Sequence, residues 1–249
     1  MKATSPHSIE AFNLRFESAE AVIAWATNEF KHQLTFACSF GLEDMVVLDL
    51  LLKTHSSASV FILDTGRLHQ ETCNLIEQTR QHYRRSFDVY APNTDALQTL
   101  LREQGPNSFY QSVEARKLCC HVRKVEPLGR ALAGKKAWLT GLRREQSSHR
   151  NDLQIVEVDE AHGEILKINP LASWDEQKVR EYIHQHHLPY NKLHDQGYPS
   201  IGCAPCTRAI KPGEDIRAGR WWWEQASRKE CGLHSGKIRK AVQESAIVS

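Results

Sequence analysis

Between Leu34 and Thr140 short apolar runs alternate with amphipathic stretches, and this rhythm restricts the fold more than any other property of the chain. Leu34-Thr35-Phe36-Ala37-Cys38, Ser59-Val60-Phe61-Ile62-Leu63, Phe87-Asp88-Val89-Tyr90 and Ala137-Trp138-Leu139-Thr140 have the length and apolar character of buried strands. Helices are expected over residues 43–54, about 69–83 and 95–104, after a first helix capped by Ser18 that runs to about His32. Strands separated by helices pair in parallel through right-handed crossovers. The expected class is α/β, with a Rossmann-like, mostly parallel sheet flanked by helices.

After Arg150 the rhythm breaks. Residues 153–158 and 164–168, on either side of His162-Gly163, read as a hairpin or two edge strands. Ser173-Trp174-Asp175-Glu176 has the spacing of a capping box and opens a helix expected to reach about His187. From Leu188 the chain is loop-rich, punctuated by Pro189, Gly197, Pro199, Gly202, Pro205, Pro212, Gly213 and Gly219. Such a tail has little core of its own and is expected to pack on the body, with Trp221-Trp222-Trp223 as packing groups. Residues 1–249 are expected to form one domain, with 207–249 as its mobile C-terminal tail.

The chain has 249 residues, 41% of them apolar, enough to bury a full core. Lys and Arg number 32 against 30 Asp and Glu, and a net charge of +2 makes no case for nucleic acid. The longest apolar run, 45–52, is interrupted by Asp49 and too short to span a bilayer. Met1-Lys2-Ala3-Thr4-Ser5-Pro6-His7 lacks the apolar stretch of a secretory signal. Seven cysteines, an odd number, argue against a disulfide framework. A cytoplasmic, thiol-reducing setting is expected, with no membrane partner; the oligomeric state is open between monomer and homo-oligomer.

In open parallel sheets, ligands bind beyond the carboxyl ends of the strands. Three polar loops are expected there. Ser39-Phe40-Gly41-Leu42-Glu43-Asp44 opens a helix, whose first N–H groups favour an anion. Asp64-Thr65-Gly66-Arg67 follows the second strand. Gly141-Leu142-Arg143-Arg144 follows the fourth, where two adjacent arginines suit a phosphate or sulfate. Ser39, Gly41, Asp64, Thr65, Gly66, Arg143 and Arg144 are therefore candidate substrate-binding residues, and three loops in register favour a nucleotide site.

Five cysteines form a pattern: adjacent Cys119 and Cys120, the pair Cys203-Ala-Pro-Cys206, and a single Cys231. Two pairs can give four thiolates to one metal centre, leaving one thiol to react. Four thiolates suit zinc or an iron–sulfur cluster, and spacing alone does not separate the two. Cys38 and Cys73 fall in a strand and a helix, where burial is expected. A free thiol titrates near ~8.5, so a nucleophilic cysteine needs positive charge nearby. Arg217, Arg220 and His234 stand in sequence around Cys231. Lys124 lies four residues after Cys120, one helical turn away, where its ammonium can face both a cysteine and a substrate anion.

The first loop looks like a modified pyrophosphatase loop, whose usual form is Ser-Gly-Gly-x-Asp-Ser. Together with Leu63-Asp64-Thr65-Gly66, Glu71-Thr72, Thr140-Gly141-Leu142-Arg143-Arg144 and Glu230-Cys231-Gly232-Leu233-His234, it resembles the assimilatory adenylyl-sulfate reductases. These are iron–sulfur sulfonucleotide reductases of sulfate assimilation and cysteine biosynthesis. The resemblance implies an adenine nucleotide α-hydrolase-like fold and one [4Fe–4S] cluster on Cys119, Cys120, Cys203 and Cys206. It implies Cys231 as nucleophile with His234 in support, Lys124, Arg217 and Arg220 on the substrate, and an S-sulfocysteine intermediate. Thioredoxin, or glutaredoxin, is the implied reductant. The sister 3′-phosphoadenylyl-sulfate reductases lack both cysteine pairs, so adenylyl sulfate is the expected substrate. The alternatives are 3′-phosphoadenylyl-sulfate or dual reduction, tRNA thiolation, and a non-catalytic zinc or nucleotide sensor. Phe40 stands where the pyrophosphatase loop has glycine, which argues against ATP cleavage.

Overall fold

The computed structural model describes residues 16–147 and 150–224. Among them, six strands form one sheet: β1 (Leu34–Ala37), β2 (Val60–Leu63), β3 (Asp88–Tyr90), β4 (Ala137–Leu139), β5 (Val156–Asp159) and β6 (Ile165–Ile168). The order is β3-β2-β1-β4-β6-β5. Every neighbouring pair is parallel except β5 with β6. The expected hairpin is thus part of the main sheet: β6 joins β4 in parallel and β5 closes the edge.

The helices are α1 (Ala19–Phe30), α2 (Leu42–Thr54), α3 (Gln70–Tyr83), α4 (Thr94–Gln104), α5 (Val113–Cys120), α6 (Glu126–Leu132) and α7 (Glu176–Gln185). Period-two alternation in the central strands sends side chains to two cores. Phe36 and Leu139 join α1, α2 and α7 in the larger one, while Phe61 and Trp138 meet Leu128 and Leu132 of α6 in the other. Helix α2 is buried almost throughout, from Met45 to Leu51. No helix among the described residues is long and apolar enough to cross a membrane.

Ser18 caps α1 as expected, its hydroxyl accepting from Ala21 N at 3.1 Å. At α7 the expectation needs correction. The cap is Asp175, whose carboxylate accepts from Lys178 N at 2.7 Å, and Glu145 of another loop takes the Glu176 N–H. A capping box starting at Ser173 therefore does not form, and the helix ends at Gln185.

Between α5 and α6 the chain makes a π-helical turn, His121–Val125. Pro127, in the first turn of α6, has no N–H to give the Arg123 carbonyl, and Glu126 N reaches back to His121 O instead. This wide turn sits directly after the cysteine pair. Downstream, residues 207–224 lie on the body. Thr207 pairs with Arg220, and Trp221 is 1% exposed. Of the tail expected over 207–249, the part as far as Glu224 packs on the body, as expected; the remainder lies outside the described residues.

Candidate active site

A cavity of about 260 Å³ opens where the loops after β1, β2 and β4 meet. From β1 the chain proceeds outward through β2 and β3, then returns to place β4 on the other side of β1. Such a switch point leaves a crevice at the carboxyl ends of the strands. Ser39, Gly41, Thr65, Lys124, Arg143, Arg217 and Arg220 all line it.

The first loop is held from within. Asp44, in the first turn of α2, accepts both the Ser39 N–H at 2.5 Å and its O–H at 2.6 Å. Burial pushes the Asp44 carboxyl up to about 6, against the Ser39 hydrogen bonds that favour its anion. Gly141 passes so close that a Cβ there would strike the Asp44 carboxylate. Phe40 adopts φ 62°, the left-handed region usual for glycine. Its ring is 2% exposed and packs edge-to-face on Phe87 at 6.2 Å. The loop thus keeps a glycine-like backbone while the aromatic ring belongs to the core.

The second loop turns through Asp64, whose side chain accepts the Gly66 N–H at 2.8 Å, and Gly66 has φ +67°. Asp64 itself is exposed and outside the cavity lining, whereas Thr65 is buried and faces it. The third loop differs from the expected arginine clamp. Arg143, 2% exposed, binds Glu43 at 2.8 Å, Glu145 at 3.1 Å and the Trp174 carbonyl at 3.3 Å. Arg144 turns away and donates to the Leu153 carbonyl at 2.8 Å. A buried guanidinium requires paired acceptors, and Glu43 and Glu145 are placed to supply them.

The four paired cysteines line a second, small cavity together with Arg67, Phe109, Arg116, Arg123 and Lys124. Cys120, Cys203 and Cys206 are buried, Cys119 half-buried, and none is in a disulfide. Among the described residues no three ligand side chains already stand at metal-holding distances. Burial raises the Cys119 thiol, with Arg123 opposing. Burial also acts on Cys203, but Lys124, a 3.4 Å hydrogen bond to the Thr65 hydroxyl, Arg220 and Arg123 bring it below its ordinary value. Cys206, buried and next to the Cys203 charge, is pushed up to about 12.

The two cavities share a wall. Lys124 lines both, and Thr65 and Arg220 line the first while acting on Cys203. Trp221 is stacked between Arg116 at 4.5 Å and Arg220 at 4.6 Å. Cys231 and His234 lie outside the described residues. Cys73, expected buried, is exposed and lines neither cavity. The inward face of α3 is carried by Thr72, Leu75 and Thr79, and Cys73 falls off it.

Sequence reasoning assigned no role to Asp44, Arg116, Arg123 or His194. Arg116 and Arg123 had a signal: they stand three residues before and four after Cys119, positions that a helix brings to one face. His194 had none beyond its place in a loop.

A cavity at a parallel sheet's switch point, walled by Lys124, Arg217 and Arg220, with Lys124 also facing four thiols, defines an α/β protein with a cationic ligand site beside a cysteine cluster. Residues 33–209 match the model of the phosphoadenosine phosphosulfate reductase domain, and the chain belongs to that family. It is 55% identical over 201 residues to an adenosine 5′-phosphosulfate reductase of Allochromatium vinosum, covering 81% of this chain and 78% of that one. It is 50% identical over 220 residues to the enzyme of the same name from Burkholderia cepacia, covering 88% and 87%. Among solved structures it resembles the phosphate complex of the phosphoadenylyl-sulfate reductase of Candida auris. There the TM-score is 0.71 and the identity 31%, over 83% of this chain and 98% of that one.

Proposed function

We propose that this protein reduces adenosine 5′-phosphosulfate to sulfite and AMP in sulfate assimilation, with a thioredoxin- or glutaredoxin-type dithiol as reductant. The observation that carries this reading is the shared wall, where Lys124 faces both the substrate cavity and the four cysteines. The N-terminus of α2, with Ser39 and Gly41, offers N–H groups to the nucleotide's anionic end. Lys124, Arg217 and Arg220 balance the charge that gathers on the leaving phosphate. Arg143 acts through Glu43, fixing the loop rather than gripping the anion.

In the first half-reaction the Cys231 thiolate attacks the substrate's sulfur, with His234 in support. A sulfur–sulfur bond forms, the bond from sulfur to the phosphate oxygen breaks, and AMP departs with that electron pair. Cys231 is left S-sulfonated. One thiolate of the dithiol then attacks the Cys231 sulfur, and sulfite leaves with the electron pair of the broken bond. The second thiol displaces Cys231 from the mixed disulfide, so the donor supplies two electrons and ends oxidised.

Cys119, Cys120, Cys203 and Cys206 would hold one [4Fe–4S] cluster. The donor set fits it: four thiols on one cavity, ringed by Arg67, Arg116, Arg123 and Lys124, whose charges balance an anionic thiolate centre. When bound, such a cluster supplies a concentrated charge that tunes the local field and ties together the segments that carry its ligands.

Two relatives that match most of the chain are named for adenosine 5′-phosphosulfate, which favours that substrate, while the Candida auris similarity keeps the 3′-phosphorylated nucleotide as a second reading. Intact-protein mass spectrometry after incubation with each nucleotide, without reductant, tests both. One sulfonate added to wild type and none to Cys231→Ser supports the covalent step. An adduct from both nucleotides means dual specificity; no adduct from either overturns the mechanism.

A further inference from the structure

We propose that His194 contacts the bound nucleotide, one nitrogen of its buried ring hydrogen-bonding the ligand in the cavity between the strand-end loops. His194 lies in the 3₁₀ turn Lys192–Gln196 after α7 and lines the cavity. It is 9% exposed, and neither Nδ1 nor Nε2 completes a hydrogen bond of ordinary geometry among the described residues; the Tyr198 backbone is the group that approaches the ring. A buried ring nitrogen without a partner is costly and rare, and the Tyr198 backbone can serve at most one of the two, so the other asks for an occupant.

The turn that carries the ring is itself well held. Asn191, 1% exposed, accepts from Leu193 N at 3.1 Å and donates to the Thr72 hydroxyl at 2.9 Å, and Thr72 lines the same cavity. Tyr198 N closes the turn onto the Leu193 carbonyl at 3.1 Å, with Gly197 at φ +83° between. The ring is thus presented by a rigid element rather than left over from packing.

Burial keeps the imidazole toward its neutral form. Glu43, Glu176 and the Tyr198 backbone act in the opposite sense, and Arg180 in the same sense. A neutral imidazole offers one donor and one acceptor, which suits a ribose hydroxyl, the adenine edge or a phosphate oxygen. Among the described residues no group of three ligand side chains marks a metal site that would claim it. The inference rests on the nucleotide chemistry proposed above and adds a binding residue to it.

The test is ring ¹⁵N spectroscopy of histidine-labelled protein titrated with AMP, the His194 signal being assigned by its loss in His194→Gln. Binding of AMP by wild type is measured first, by calorimetry. A shift of the His194 ring signals with AMP supports the contact. Adenosine then locates it: a shift with adenosine points to the nucleoside, and a shift with AMP alone points to the phosphate.

His194→Ala is expected to weaken AMP binding and raise KM roughly tenfold with a smaller change in kcat, and His194→Gln to recover part of the loss. Ring signals that stay fixed in AMP-saturated protein, or an Ala variant that binds AMP as well as wild type does, mean that the ring meets water only and overturn the inference alone. Wild type that does not bind AMP overturns it together with the proposed function.

Discussion

Arg116 and Glu224 face each other as a bidentate ion pair, Nε to Oε1 at 2.6 Å and Nη2 to Oε2 at 3.0 Å, with side chains 0% and 4% exposed. Arg116 also interacts with Cys120 and stacks on Trp221. One guanidinium therefore joins the cysteine cavity to the last described residues of the chain, seven positions before Cys231. Breaking such a pair from one side leaves a buried charge uncompensated, at a cost of about 3–5 kcal/mol.

Glu224→Gln and Arg116→Met are each expected to lose stability on that scale in urea denaturation, and the double variant to lose less than the two together. Hydrogen exchange over residues 207–224 is expected to rise in both single variants. Additive losses with unchanged exchange would mean that the pair does not fasten the segment.

Gly202 gives a way to move Arg220 without replacing it. A Cβ on Gly202 would overlap the Arg220 guanidinium, the flexible end of a side chain that can shift. Gly202→Ala is therefore expected to fold with little change in Tm and to raise the KM for the nucleotide roughly tenfold, the equivalent of about 1.4 kcal/mol. Steady-state kinetics check this; an unchanged KM would remove Arg220 from the substrate contacts.

The α/β class and the strand positions were legible because short apolar runs between helical patterns have few other solutions. The two pairs of cysteines were legible as pairs from their spacing, and the fold brings all four to one cavity. What escaped were residues whose importance comes from tertiary approach. Asp44 reads as an ordinary first-turn acid until Ser39 and Gly141 close over it. Arg143 reads as an anion clamp, yet Glu43, a hundred residues earlier, takes its charge. The Ser173 capping box matched its motif, but a stronger cap two residues later won. Cys73 occupies a helix position that pattern alone did not distinguish from the buried face.

Phe40→Gly would restore the residue usual at this place in a pyrophosphatase loop, and it is expected to destabilise the protein. Relief from φ 62° is worth about 1–2 kcal/mol. Deleting a buried aromatic ring costs about 3–5 kcal/mol, so a net loss of roughly 1–4 kcal/mol is expected in urea. A gain in stability would mean that the ring contributes nothing against Phe87.

Asp44 makes the stability of the first loop depend on pH in a direction opposite to that of most carboxylates. Its folded-state pKa is raised by burial to about 6, from 3.8. The folded protein therefore binds a proton that the unfolded chain has already released. The stabilising contribution is full below about pH 4 and is lost as pH rises through 6. Between pH 4.5 and 7 this amounts to about 2 kcal/mol. Asp44→Asn has no proton to lose, and its amide oxygen can still accept the Ser39 N–H. Urea denaturation of both proteins across that range is expected to show the variant's stability rising relative to wild type as pH increases, with the change centred between pH 5 and 6. Parallel pH profiles would show that Asp44 titrates alike in the folded and unfolded states, and that its two hydrogen bonds from Ser39 offset its burial in full.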